Sequence, residues 1–445
     1  MADELRDEWR EPTVDAPAEE PEGPPRVSLR RRIVAWTMLA CFVLALAFPF
    51  VVSPRLRSLF RAVPARRVHD GARAAGAVPP DRLAAAQRVV SEEVLRRGFP
   101  GATLAIGVRD TTLLEVGIGR MRWGRLAPLA DADETLYDLA SLTKAVATTT
   151  AVMILVDEGK MGLDDPLARW LPHFTGRGRE KVTVRQVLSH TSGLPAAMPI
   201  RDFGSPGDRL YRVVSSVDLI DEPGAEVLYS DLGFVILGLA AANAAGQPLP
   251  AFLRKRVWEP LGMAHTRFEP GIDCAVCAPT LTLEDGRPFA GRTNDPFSRE
   301  LGGITGNAGL FSTAHDLGRF AAMLANGGEL DGVRIVKEST LRQFIRPHPG
   351  AGTRGLGFEV FCREGTVPDH VGCKTPYAFG HTGYTGTSLW IDPARGIWVV
   401  LLSNRTYLPR APNHIRVVRR RLFNLATGIT PPPPATPADT GPEER

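Results

Sequence analysis

The sequence predicts an α+β fold: an antiparallel β-sheet completed by both termini and flanked by helices, with a mainly helical subdomain and one preceding transmembrane helix. Three observations carry this. Strand–turn–strand patterns stand at both ends of the globular part, helical periodicity fills its middle, and a 20-residue apolar run, Ile33 to Val52, lies near the N-terminus. At 445 residues the chain is long enough for a substantial core, and 44% hydrophobic with 23% charged residues is a globular balance. A net charge of only +4, with no basic run interleaved with aromatics past the N-terminal region, argues against a nucleic-acid partner.

Taken in order, residues 1–32 form a tail whose first 29 are rich in Glu, Asp and Pro, a composition that buries no core. Residues 33–52 match the roughly 20 apolar residues that a helix needs to cross a bilayer core. A cleaved signal peptide fits less well. Its apolar part is usually about 7–15 residues, and no Ala-x-Ala cleavage pattern directly follows the run. The expectation is an uncleaved anchor that contacts the lipid bilayer. Arg30, Arg31 and Arg32 flank it on one side and Arg55, Arg57 and Arg61 on the other, so the charge rule leaves its orientation open.

Residues 53–80 read as a linker, and the globular domain is expected over 81–428. Asp81 is the expected N-cap of a helix whose apolar stripe is Leu83, Ala86, Val90 and Val94, with Gly98 closing it. "ATLAIGVRD" and "TTLLEVGIGR" predict a first hairpin; "TSLWIDPARGIWVVLLSNR", turning at "DPARG", predicts a last one. Helices are expected at 141–159 and 312–326. Residues 429–445 are a polyproline and polar tail.

The chemistry-bearing residues begin with "DLASLTKAVATTT", residues 138–150. Ser141 and Lys144 stand three apart, so on a helix they share a face. Asp138 or Ser141 is placed to cap that helix. The small, apolar residues that follow imply burial, which favours a neutral lysine amine able to activate a serine hydroxyl. Taken alone, a surface pair explains these two residues as well. Two further clusters change the weighting. "PGAEVLYSDLGFVILG" sets Tyr229, Ser230 and Asp231 between a turn and an apolar helix, and "AFGHTGYTGTSLWIDP" sets His381, Thr382 and Gly383 at the start of a strand.

In the order Ser-x-x-Lys, Tyr-x-Asp, His-Thr-Gly, the chain resembles the serine β-lactamase and penicillin-binding protein superfamily. Within it, the likeness is to the class C β-lactamase-like branch with its D,D-peptidase and esterase relatives. "VTVRQVLSHTSGLP", "GNAGLFSTAHDLGRF" and "LLSNR" resemble the same branch, and the likeness runs from about residue 84 to 426.

The resemblance implies a β-lactamase/transpeptidase-like fold and a hydrolase with no metal and no cofactor. In that scheme Ser141 attacks a carbonyl and forms an acyl-enzyme, and Lys144 helps to take its proton. Tyr229 shuttles a proton to the leaving group, which as a phenolate-like base requires a pKa lowered by Lys144. The backbone N–H groups of Ser141 and Tyr384 form the oxyanion hole. Asp231, His381, Thr382 and Gly383 face the substrate, a small molecule or a peptidoglycan-type peptide.

Two departures matter. Asp231 stands where the family more often has Asn, and as a carboxylate it can only accept, so it can pair with Lys144 and hold it charged. His381 stands where β-lactamases of this class usually have Lys. Both tilt the expectation from a dedicated β-lactamase toward D-alanyl peptides or related amides. The alternatives are an esterase of small acyl esters or a penicillin-binding sensor that acylates without turnover.

His190 and His315 read as structural, because no Gly-x-Ser-x-Gly elbow supports a Ser–His pair. Of the cysteines, Cys274 and Cys277 lack a second knuckle for zinc, and a Cys362–Cys373 disulfide is expected if the domain is periplasmic. The family's substrates lie outside the inner membrane. The catalytic domain is therefore expected on the periplasmic or extracellular side of the bacterial inner membrane, with the tail in the cytoplasm.

Overall fold

The computed structural model describes residues 77–200, 202, 204–362 and 376–428, all within the unit Ala62–Arg445. The expected tail and anchor (1–52), most of the linker and the C-terminal tail lie outside the described residues. Among the described residues, no single helix is long and apolar enough to cross a membrane. The bent pair Asp231–Ala245 and Leu249–Trp258 passes only jointly, and its Leu232, Phe234, Ile236 and Leu237 are buried in the core.

The first helix, α1 (Pro80–Leu95), starts one residue before Asp81. Its N-cap is Pro79, and Pro80 suits the first turn because its fixed φ is helical and its missing N–H has no partner there to lose. Asp81 is therefore not the cap; it sits in the first turn, where its charge complements the helix dipole. The helix closes at Arg96, ahead of Gly98, and Arg97 takes a left-handed conformation.

Both expected hairpins are present: β1 (Gly101–Val108) with β2 (Thr111–Gly119), and, at the other end, Ser388–Asp392 with Ile397–Ser403. Between them in sequence come β3 (Tyr137–Asp138), α2 (Thr150–Asp157), α3 (Asp231–Ala245), β4 (Arg267–Phe268), β5 (Leu310–Ser312) and α4 (Ala314–Ala325). Strands β6 (Glu359–Cys362) and β7 (Pro376–Thr382) precede the last hairpin, whose strands are β8 and β9, and α5 (Ile415–Thr427) ends the fold.

The main sheet is antiparallel in the order β6-β7-β8-β9-β1-β2. Its termini meet where β1 pairs with β9, from Ala102 opposite Ser403 to Val108 opposite Ile397. Alternate residues serve opposite faces. Leu104, Ile106, Val399 and Leu401 pack on α1 and α5 through Val90, Val418 and Leu422. Ala105, Trp398, Val400 and Leu402 face the larger core around α2, α3 and α4. Every residue of β1 is buried because helices cover both of its faces.

A second, three-stranded sheet, β3-β5-β4, lies beside the nucleophile segment: Tyr137 pairs with Ser312 and Asp138 with Phe311. The segment between β4 and β5 carries a disulfide between Cys274 and Cys277. That pairing answers the C-x-x-C spacing. Cys373 and the Cys362 side chain lie outside the described residues, and so does the expected bond between them.

Candidate active site

The segment after β3 leaves the sheet through a tight turn. Ala140 takes φ +48°, Ser141 follows it partly exposed, and a π-helical stretch, Lys144–Thr149, leads into α2. Such stretches occur frequently at functional sites. All six of its residues are buried, and Lys144 is fully so. Neither Asp138 nor Ser141 caps the helix, contrary to expectation; the N-cap position falls at Thr143, whose side chain makes no capping bond and accepts from Leu310 N.

The Lys144 ammonium has three donors and uses all of them. Nζ donates to Ser141 Oγ (3.0 Å), to Asp231 Oδ1 (2.5 Å) and to the Asn307 carbonyl (3.3 Å). It also lies 4.8 Å from the centre of the Tyr229 ring, a cation–π contact. Burial by itself would lower its pKa. The Asp231 carboxylate, with Tyr229 adding to it, outweighs burial and pushes it up to about 12. The neutral lysine base expected from burial alone is thus replaced by an ammonium held in an ion pair.

Asp231 comes from the first turn of α3, whose N-cap Ser230 accepts from Gly233 N through its side chain. Tyr229, just before it, lies against Lys144 and Ser141, which both bear on its hydroxyl. Burial raises the Tyr229 pKa above its usual 10 despite the neighbouring Lys144, opposite to the lowering that a phenolate base requires. His190 supports this tyrosine from behind. Its ring stacks on Tyr229 at 4.4 Å, its Nδ1 accepts from Ser230 N at 3.0 Å, and burial keeps it neutral. It is the hydrogen-bonding loop residue that the sequence suggested. His315, in the first turn of α4, pairs with Glu115 (3.2 Å) and is likewise part of the scaffold.

His381 and Thr382 end β7 instead of starting a strand, and Gly383 opens the turn into β8. His381 is buried, and its Nδ1 lies 2.7 Å from the Thr382 carbonyl, so that nitrogen carries the proton. Burial, followed by Lys144 and Arg354, lowers its pKa to about 3. At neutral pH it offers no positive charge to a substrate.

Gly383 brings this turn against the nucleophile segment. A β-carbon there would lie 2.1 Å from Thr387 Oγ1 and 2.2 Å from the Leu139 carbonyl. Thr387 Oγ1 and Thr385 Oγ1 also donate to the Leu139 and Asp138 carbonyls. Among the described residues, the amides of Ser141 and Tyr384 have no acceptor. Gly383→Ala is expected to cost about 1–3 kcal/mol by forcing the turn away from Leu139. A fall in thermal midpoint together with slower acylation would show it; an unchanged midpoint would not fit this contact.

The structure thus brings Ser141, Lys144, Tyr229 and Asp231 together, and the turn after His381–Gly383 is tied to the nucleophile segment by the Thr385 and Thr387 hydroxyls. Two neighbours were missed. Asn307, which accepts from Lys144, lies inside "GNAGLFSTAHDLGRF", so the signal was present without a role. Arg354 places its guanidinium 5.2 Å from the Tyr229 ring centre, and no sequence pattern announces it.

A serine hydroxyl bonded to a buried lysine, with a tyrosine hydroxyl beside both, defines a serine hydrolase of the Ser-x-x-Lys kind. The chain belongs to the Beta-lactamase family, which matches residues 82–422. It is 31% identical over 313 residues to a Salmonella schwarzengrund protein provisionally named D-alanyl-D-alanine carboxypeptidase, covering 64% of this chain and 72% of that one. Solved structures share the fold. The penicillin-binding protein homologue of Caulobacter crescentus superposes with a TM-score of 0.61 at 24% identity, over 79% of this chain and 98% of that one. The D-alanine carboxypeptidase AmpC of Burkholderia cenocepacia gives 0.60 at 21%, over 78% and 99%. EstCE1, a hydrolase with promiscuous acyltransferase activity, gives 0.62 at 24%, over 78% and 99%.

Proposed function

We propose that this serine hydrolase works through a covalent acyl-enzyme on D-alanyl peptides or related amides. The carrying observation is the 3.0 Å bond from Lys144 to Ser141 Oγ within a site that also holds Tyr229 and Asp231. Ser141 Oγ attacks the substrate carbonyl, and its proton passes to the neutral Tyr229 oxygen. Tyr229 gives its own hydroxyl proton to the leaving nitrogen, so no free phenolate forms. Asp231 holds the Lys144 ammonium in place, and its N–H donated to Ser141 Oγ favours the serine oxygen as it becomes alkoxide-like. The Ser141 and Tyr384 amides receive the carbonyl oxygen as it becomes negative, a donor pair of the kind worth about 2.7–4 kcal/mol per member. Water then repeats the sequence on the acyl-enzyme. No step calls for a metal or cofactor.

Arg354 bears on the choice between peptide and ester. With His381 neutral, the guanidinium above Tyr229 is the cation placed to meet a substrate carboxylate. The neutral His381 by itself favours an uncharged ester, the second reading. Arg354→Ala is expected to raise KM for a D-Ala-D-Ala peptide about tenfold or more, the worth of one charged hydrogen bond, while leaving p-nitrophenyl acetate hydrolysis within twofold. Equal losses on both substrates would remove Arg354 from carboxylate recognition.

The same proposal places the enzyme on the inner membrane through residues 33–52, with its domain outside. The apolar run supports the anchor, and the Cys274–Cys277 bond suits an oxidising compartment. Recovery of the full-length protein in the soluble fraction after lysis would contradict the anchor.

A further inference from the structure

We infer that the buried Asp138 carboxylate is a positioning group that fixes the turn presenting Ser141 to substrate. This rests on Ser141 being the nucleophile and assigns a role to a residue outside the Ser-x-x-Lys, Tyr-x-Asp and His-Thr-Gly motifs.

Asp138 is 1% exposed and ends β3 three residues before Ser141. Its Oδ1 accepts from Ala140 N at 2.9 Å and its Oδ2 from Asn294 N. Its own carbonyl accepts from Thr385 Oγ1 at 2.7 Å. One residue thus ties together the nucleophile turn, the loop before Asp295 and the β7–β8 turn that carries Tyr384. The first bond has a particular task. Ala140 sits at φ +48°, a conformation that a residue with a β-carbon adopts only when its surroundings impose it. The carboxylate two residues back holds the Ala140 amide in that orientation, and the Ser141 amide and hydroxyl follow.

Protonation would undo this arrangement, because a carboxylic acid loses one of its two acceptor oxygens to its own proton. Burial pushes the Asp138 carboxyl up to about 7, against the pull of the Asn294 and Ala140 N–H groups. Asp295 and Glu269 face it with negative charge and add to the rise. Arg299 faces it with positive charge, and Arg292 is engaged with Glu269 at 3.4 Å. The positioning function should therefore be complete above neutral pH and weaken below it.

The test uses the full-length chain and a fluorophosphonate, which labels an activated serine, with rates measured from pH 5.5 to 8.5. Asp138→Asn keeps the shape but aims an amide N–H₂ at one of the two backbone donors. It is expected to slow labelling about 10–100-fold, the scale of an ångström-level misplacement, without the wild-type loss of rate below pH 7. Adding Ala140→Gly should restore much of the rate, because glycine takes φ +48° without a tether. If Asp138→Asn does not fold, Ala140→Gly alone decides: its acid loss should be shallower than that of the wild type. Wild-type rates in Asp138→Asn, or an identical acid loss in Ala140→Gly, would overturn the inference. Ser141→Ala, labelled in parallel, separates the two claims. Labelling that persists in it would sink the nucleophile assignment, whereas a silent Ser141→Ala beside a fully active Asp138→Asn would sink only the role of Asp138.

Discussion

Ser141→Ala is expected to lower turnover by at least about 10⁴-fold on every substrate that the enzyme accepts, because no other group in the site can form the acyl bond. The fold should not notice the change. Ser141 is partly exposed, and its lysine partner keeps Asp231 and the Asn307 carbonyl. A thermal midpoint close to that of the wild type, together with loss of acylation, is the expected combination. Comparable inactivation through unfolding would instead assign Ser141 a structural role.

The second large effect belongs to Asp231→Asn. Lys144 is fully buried, and its partner carboxylate is about one-third exposed. Removing the charge leaves the ammonium in a site that cannot hydrate it, so a cost of about 3 kcal/mol is expected, toward the low end for a broken buried pair because the amide oxygen can still accept. The pH dependence follows from the direction of the shift. In the wild type the folded Lys144 pKa is raised to about 12 from 10.5, so its stabilising contribution is complete below 10.5 and lost as pH rises through 12. In the variant burial acts unopposed by Asp231, the folded pKa falls, and lysine deprotonation moves toward neutral pH. Activity should then acquire a rising limb with pH that the wild type lacks, as a neutral amine becomes available to take the serine proton. Thermal midpoints and kcat/KM from pH 6 to 10 would show both effects. Superimposable profiles would mean that the ion pair does not govern the site.

How much was legible in the sequence divides along physical lines. The sheet was legible because its end strands alternate or run apolar and are bounded by turn residues, as at "DPARG", so local chemistry suffices. The start of α1 was misplaced by two residues because Asp81 competed with a Pro79–Pro80 pair that sets the first turn without a side-chain cap. At the site, residue types and order identified Ser141, Lys144, Tyr229 and Asp231, and the possible Lys144–Asp231 pairing was visible in the departure from Asn. The protonation states were not. Burial alone predicts a neutral lysine and Lys144 alone predicts a depressed tyrosine, and the structure reverses both because the balance depends on distances. Arg354 stands 125 positions from Tyr229 in sequence, and only the folded chain places its guanidinium against that ring. Asp138 was visible as a helix cap. The turn at Ala140 gives it a different backbone partner, so the residue was found while its task was misread.

The central claim is a covalent acyl-enzyme at Ser141, and intact-mass spectrometry of the full-length protein tests it most directly. Wild type and Ser141→Ala would each be incubated with a penicillin, a p-nitrophenyl ester and a D-Ala-D-Ala peptide. The account predicts an adduct or turnover in the wild type that disappears in the variant, with the substrate consumed distinguishing peptidase from esterase. Equal masses and no turnover in both proteins, or an adduct that survives in Ser141→Ala, would contradict it.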